Sequence, residues 1–217
     1  MKIGLPVRNR KGKKEIDIKE MMSRIGREPH GSWLAGTNLL WHGGIHLSPV
    51  SAPDAILTPD HANTAQPVQC MADGKIVAWR INPDYLTSQY CDQQVQYSST
   101  FLLIKSVCKP DPNNDTTWLD FYTLYLGLAP LAAYLKRDNP SARTATDAQL
   151  PPWMQQAIRQ GKFNTVVNPA SPLTIRAGDA VGFLAQDISP ADQCQVKTRH
   201  FIHIEVISID ARMPAFP

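Results

Sequence analysis

Arg199-His200-Phe201-Ile202-His203-Ile204-Glu205-Val206 reads as a β-strand with two different faces. Side chains alternate across a strand, so Phe201, His203, Glu205, Ile207 and Ile209 share one face. His200, Ile202, Ile204 and Val206 share the other. An aliphatic face needs a core to cover it, and the opposite face carries an imidazole and a carboxylate side by side. Working back along the chain, short apolar runs rich in Val, Ile, Phe, Tyr and Trp recur between Pro, Asn, Asp and Gly. They predict strands at residues 45–47, 68–71, 75–80, 101–107, 119–126, 180–184 and 201–209. Asp73-Gly74 predicts a hairpin between two of them.

Helix signals are few. Ile18, Met21, Met22 and Ile25 recur at helical spacing and predict a core-packed helix within residues 15–25. A second is predicted over residues 152–160, with Pro152 in its first turn and Gly161 ending it. Residues 81–98, 108–117, 131–171 and 186–198 are polar and without sustained period, and read as long loop insertions that wall a groove. The division that follows is a basic N-terminal arm with a short helix, residues 1–30, and one β domain, residues 31–217. The apolar stretch 121–135 is interrupted by Thr123, Gly127 and Pro130 and reads as a buried strand and turn rather than a membrane span.

Composition narrows the function classes. The chain has 217 residues, 43% hydrophobic and 19% charged, with 18 prolines, which fits a loop-rich β protein and excludes a disordered tail. A net charge of +3 is too mild for a nucleic-acid face, which needs a dense Lys/Arg stripe. Arg8, Arg10, Lys11, Lys13 and Lys14 form the one basic cluster, and it reads as a solvated arm. No apolar segment follows it, so it is not a secretory signal. The four cysteines, Cys70, Cys91, Cys108 and Cys194, form no CxxC pair, and their spacing leaves open bridged and free states alike.

The histidines carry the chemistry, because imidazole is the commonest metal ligand and titrates near neutral pH. Trp41-His42-Gly43-Gly44-Ile45-His46-Leu47 holds two of the six. On one straight strand His42 and His46 would stand ~13 Å apart, too far for ligands that each lie ~2 Å from one metal. The pair therefore predicts a turn at Gly43-Gly44 that enters a strand. His203 and Glu205 point together, and His200 joins them only through a β-bulge. His30 and His61 read as loop residues.

In order along the chain stand His42-x-Gly-Ile-x-Leu47, Val68-x-x-Met-Ala-Asp-Gly-Lys-Ile-Val77, Phe121-Tyr-Thr-Leu-Tyr-Leu126, Ile175-Arg-Ala-Gly-Asp-Ala-Val-Gly182 and His203-Ile-Glu-Val206. This series resembles the lysostaphin or LytM-type zinc peptidases, which cleave peptidoglycan cross-links, over roughly residues 41–209. The resemblance implies a mostly β fold, an antiparallel β-sheet/barrel-sandwich hybrid core carrying the loop insertions and one or two short helices. It implies zinc held by His42, His46 and His203, with Glu205 orienting an imidazole. His46 replaces the family's aspartate, and three imidazoles also make a catalytic zinc site. Gly127 and Phe201 stand where the family has its two assisting histidines. His200 and Tyr125 are the candidate substitutes in proton transfer, with Tyr122, His30 and His61 behind them.

The expected function is a zinc-dependent hydrolase of peptide bonds in bacterial peptidoglycan. The alternative is a catalytically inactive peptidase-like module that binds cell wall or a partner protein. A metal-free carrier or adaptor leaves the histidine placement unexplained. Without a signal peptide, the expected route is synthesis in the cytoplasm and action in the periplasm or cell wall after delivery by a secretion or phage apparatus.

Overall fold

The computed structural model describes residues 1–8, 16–29, 32–37, 40–58, 64–134 and 150–212; at 32, 33, 35–37 and 40–42 it describes the backbone alone. The protein is mostly β. Its strands are β1 (Ser32–Thr37), β2 (Leu40–Leu47), β3 (Val68–Gln69), β4 (Gly74–Arg80), β5 (Leu86–Tyr90) and β6 (Gln93–Tyr97). They continue with β7 (Thr100–Cys108), β8 (Leu119–Leu128), β9 (Leu173–Ile175), β10 (Ala180–Gly182), β11 (Ala185–Pro190) and β12 (Val196–Ser208). The helices are α1 (Ile18–Ile25) and α2 (Pro152–Ile158). Every predicted strand is present, and both predicted helices form within three residues of their expected bounds.

Ten strands form one antiparallel sheet in the order β5-β6-β11-β12-β8-β7-β4-β9, with the β1–β2 hairpin attached to β12. The path is open: among the described strands no barrel closes. β12 is the axis. Its first half pairs with β11, and from Ile202 onward it lies between β2 on one edge and β8 on the other. A strand of 13 residues is long enough to change partners along its length, and the change sets β2 beside the His203 segment. Ile202 and Ile204 are buried, as are Leu102 and Ile104 of β7 and Tyr125 of β8. They are the core side of the sheet.

β3 and β10 form a separate small sheet over that core. The Asp73-Gly74 hairpin is a correction: β3 pairs with β10, whereas β4 pairs with β7 and β9. The turn hands the chain from one sheet to the other. Asp73 accepts backbone N–H bonds from Lys2 (2.6 Å) and Ala177 (3.0 Å). Glycine is required next to it by close approach, since a Cβ at 74 would lie 2.6 Å from the carbonyl oxygen of Lys105.

Two segments read as insertions belong to the sheet. Residues 81–98 contain β5 and β6, and 186–198 contain most of β11 and the start of β12. Their polarity on both faces hides the two-residue period that marks a half-buried strand. A disulfide joins Cys91, in the β5–β6 turn, to Cys194, in the β11–β12 turn, while Cys70 and Cys108 are free thiols.

The N-terminal arm also differs from its reading. Ile3 bridges Ala72, the Gly4 N–H donates to the Met71 carbonyl, Arg8 donates to the Gly178 carbonyl, and Val7 is buried. The rest of the basic cluster lies outside the described residues. α1 packs through Met21, while Ile18 and Met22 stay exposed. Beyond it, the Glu28 carboxylate accepts from the Ser48 and Ser51 N–H groups and the Ser51 hydroxyl, tying the helix to the turn after β2. In α2 Pro152 occupies the first turn, Trp153, Met154 and Ala157 are buried, and Gly161 adopts φ +66°. No helix is long and apolar enough to cross a membrane among the described residues.

Candidate metal and peptide site

His46 and His203 are directly opposed in the β2–β12 ladder. Opposed residues project to the same face with Cβ atoms ~5 Å apart, and here the ring centroids are 5.1 Å apart. His203 Nδ1 lies 3.3 Å from His46 Nε2, and His203 Nε2 lies 2.9 Å from Glu205 Oε2. A carboxylate only accepts, so in the neutral ring Glu205 holds the proton on Nε2 and turns the Nδ1 lone pair toward His46. Glu205 is buried and His203 partly buried. Leu126, opposite His203 on β8, is exposed, so the shelf opens to solvent there.

The nitrogen pair fits zinc in one respect. Two donors ~2.05 Å from a tetrahedral ion lie ~3.3 Å apart, which is the separation found. The carboxylate on the remote nitrogen is the usual support of a metal-binding imidazole.

His42 does not join them on this backbone. β2 runs unbroken from Leu40 to Leu47, with His42 opposite Ile207 and His46 opposite His203. The predicted turn at Gly43-Gly44 is absent, and four residues of strand separate the two by ~13 Å. Both glycines pair with β1 and β12 as ordinary strand residues. Among the described residues no group of three or more His, Cys, Asp or Glu is set to hold a metal.

The proposed proton-transfer groups do not reach the pair. His200 needed a bulge, but β11 and β12 pair in continuous register from Ala185–Phe201 to Pro190–Val196. His200 therefore faces away from His203, and loss of hydration lowers its pKa. Tyr125 is also on the core side, opposite Ile204. Its hydroxyl accepts from the Met71 N–H (2.8 Å) and donates to the Gln69 carbonyl (3.3 Å), and burial drives its pKa well up. It is a tie between sheets. Tyr122 shares the histidine face, opposite Ile207. His30 and His61 lie outside the described residues.

At the two positions where the sequence lacks the expected assisting histidines, Phe201 packs 5.5 Å from the His46 ring and Gly127 adopts φ +85°. The row continues to Arg199, whose guanidinium stacks 4.7 Å from the Phe201 ring and pairs with Asp187 at 3.1 Å. Alternation on β12 places Arg199 on this face, but its partner sits on a strand that polarity conceals. No protein family, curated protein or solved structure matches the chain.

Proposed function

We propose that this protein is a lysostaphin/LytM-type module directed at the peptide part of bacterial peptidoglycan, and that it hydrolyses that peptide with a zinc ion at His46 and His203. The observation that carries the reading is the 3.3 Å approach of His203 Nδ1 to His46 Nε2, with Glu205 on the other nitrogen of His203. Zinc supplies a Lewis acid that polarises an amide carbonyl and acidifies a water molecule. The chain's own residues do the rest: Glu205 fixes the His203 tautomer, and the open shelf beside Leu126 admits an extended peptide. The Cys91–Cys194 disulfide supports action in an oxidising compartment such as the periplasm or cell wall, reached by a secretion or phage apparatus.

A second reading, in which the same face binds cell-wall peptide or a partner without cutting it, is favoured by Phe201 and Gly127. Lost acid or base assistance slows hydrolysis ~10²- to 10⁴-fold. Digestion of purified peptidoglycan with and without a chelator separates the two. Chelator-sensitive release of muropeptides supports the hydrolase. Co-sedimentation without release supports the binder, and neither outcome removes both readings.

A further inference from the structure

At the other end of the histidine face, β4, β7 and β9 border an open groove of about 1000 Å³. Its cationic side chains are Lys2, Lys75, Lys105, Lys109 and Arg176, and its one acidic lining residue is Asp73. Asp73 is committed to two backbone N–H bonds, which hold its carboxyl below the usual range. Lys105 pairs with Asp120 at 2.5 Å, and Lys109 lies 3.6 Å over the Trp118 ring. Lys75 and Arg176 are exposed, and no side-chain ion pair engages either among the described residues. Between the cations the lining is apolar, with Val77, Val107, Pro172 and Ile175. Val77, two residues from Lys75 on β4, shares its face by alternation.

This groove and the histidine pair are on one surface. Lys75 opposes Lys105, Lys105 opposes Tyr122, and Tyr122 opposes Ile207, four residues along β12 from His203. Three inter-strand steps from Lys75 and four residues along β12 span about 20 Å, or about six residues of extended peptide.

We propose that the groove binds an acidic peptide with small apolar side chains, carboxylates on Lys75 and Arg176 and methyl groups on the valine-lined floor. The occupant follows from charge complementarity: five cationic side chains line the groove against one carboxylate, Asp73, that two backbone N–H groups already engage, and Lys75 and Arg176 present exposed charges that suit separate carboxylates. The apolar lining favours methyl-bearing residues over a bare phosphate chain. The assignment deepens the proposed function and rests on it for the source of the peptide. Binding itself does not depend on the histidine pair.

The test is fluorescence anisotropy on the full chain with a labelled Ala-Glu-Ala-Glu-Ala peptide, its glutamine analogue, and inorganic polyphosphate as competitor. The acidic peptide binds, and the glutamine analogue and the Lys75→Glu/Arg176→Glu variant each bind about tenfold more weakly. Lys75→Arg/Arg176→Lys retains binding, and both variants keep the parent melting temperature because the two side chains are exposed. His46→Ala and His203→Ala leave this binding unchanged, so failure of the metal reading does not imitate failure here. Equal binding of the two peptides, absence of binding, or indifference to charge reversal overturns the proposal. Polyphosphate binding more tightly than the peptide overturns the peptide as occupant.

Discussion

His203 is engaged through both ring nitrogens, by His46 on one side and Glu205 on the other, and each neighbour makes its own prediction. In zinc titration by calorimetry, His46→Ala and His203→Ala abolish stoichiometric binding, while Glu205→Gln weakens it about 10- to 100-fold. His42→Ala leaves affinity unchanged, because a straight β2 holds residue 42 away. Loss at His42→Ala equal to that at His46→Ala would show that β2 folds back at Gly43-Gly44. His200 has a different signature. Desolvation lowers its pKa from 6.5, so below that value the unfolded chain binds the proton more readily than the folded one. Its contribution is present above 6.5 and is lost as pH falls toward the depressed folded value. His200→Gln flattens that slope, which urea midpoints at about pH 7.5 and pH 5 measure.

Among the elements, β12 shows what alternation makes legible. Its two faces follow directly from the order of residues 200–207, and the bond between His203 and Glu205 follows from their sharing a face. β5, β6 and β11 were not legible, because glutamine and serine on both faces leave no apolar period. What holds them is partly covalent. Cys91 and Cys194 are 103 residues apart, and closing a loop of that length lowers unfolded-chain entropy by the equivalent of about 4–5 kcal/mol. The Cys91→Ser/Cys194→Ser pair lowers the melting temperature. Hydrogen exchange then rises first in β5 and β6, while β7 and β8, with buried side chains at alternate positions, keep their protection.

For the whole molecule, the connection between the two sheets carries the fold. Tyr125 reaches from the large sheet to the segment after β3, and Trp153 of α2 donates to the Val181 carbonyl of β10 at 2.8 Å. Tyr125→Phe leaves the Met71 N–H without its acceptor and costs about 1–3 kcal/mol in denaturant unfolding. It leaves zinc affinity unchanged, since the hydroxyl lies on the opposite side of the sheet from His46. A parallel loss of zinc binding and activity with full stability would instead return Tyr125 to the catalytic role expected of it from sequence.

The order of residues by itself determined the β class, the strands with an apolar period, the two helices and the shared face of His203 and Glu205, since all of these depend on local spacing. Only the tertiary structure decided that β2 lies against the second half of β12, that His46 therefore meets His203 and His42 does not, and that the lysines of β4 and β7 stand on the same surface. Those facts depend on register between segments some 30 to 160 residues apart, and pairing at that range is set by how the whole sheet buries its aliphatic face.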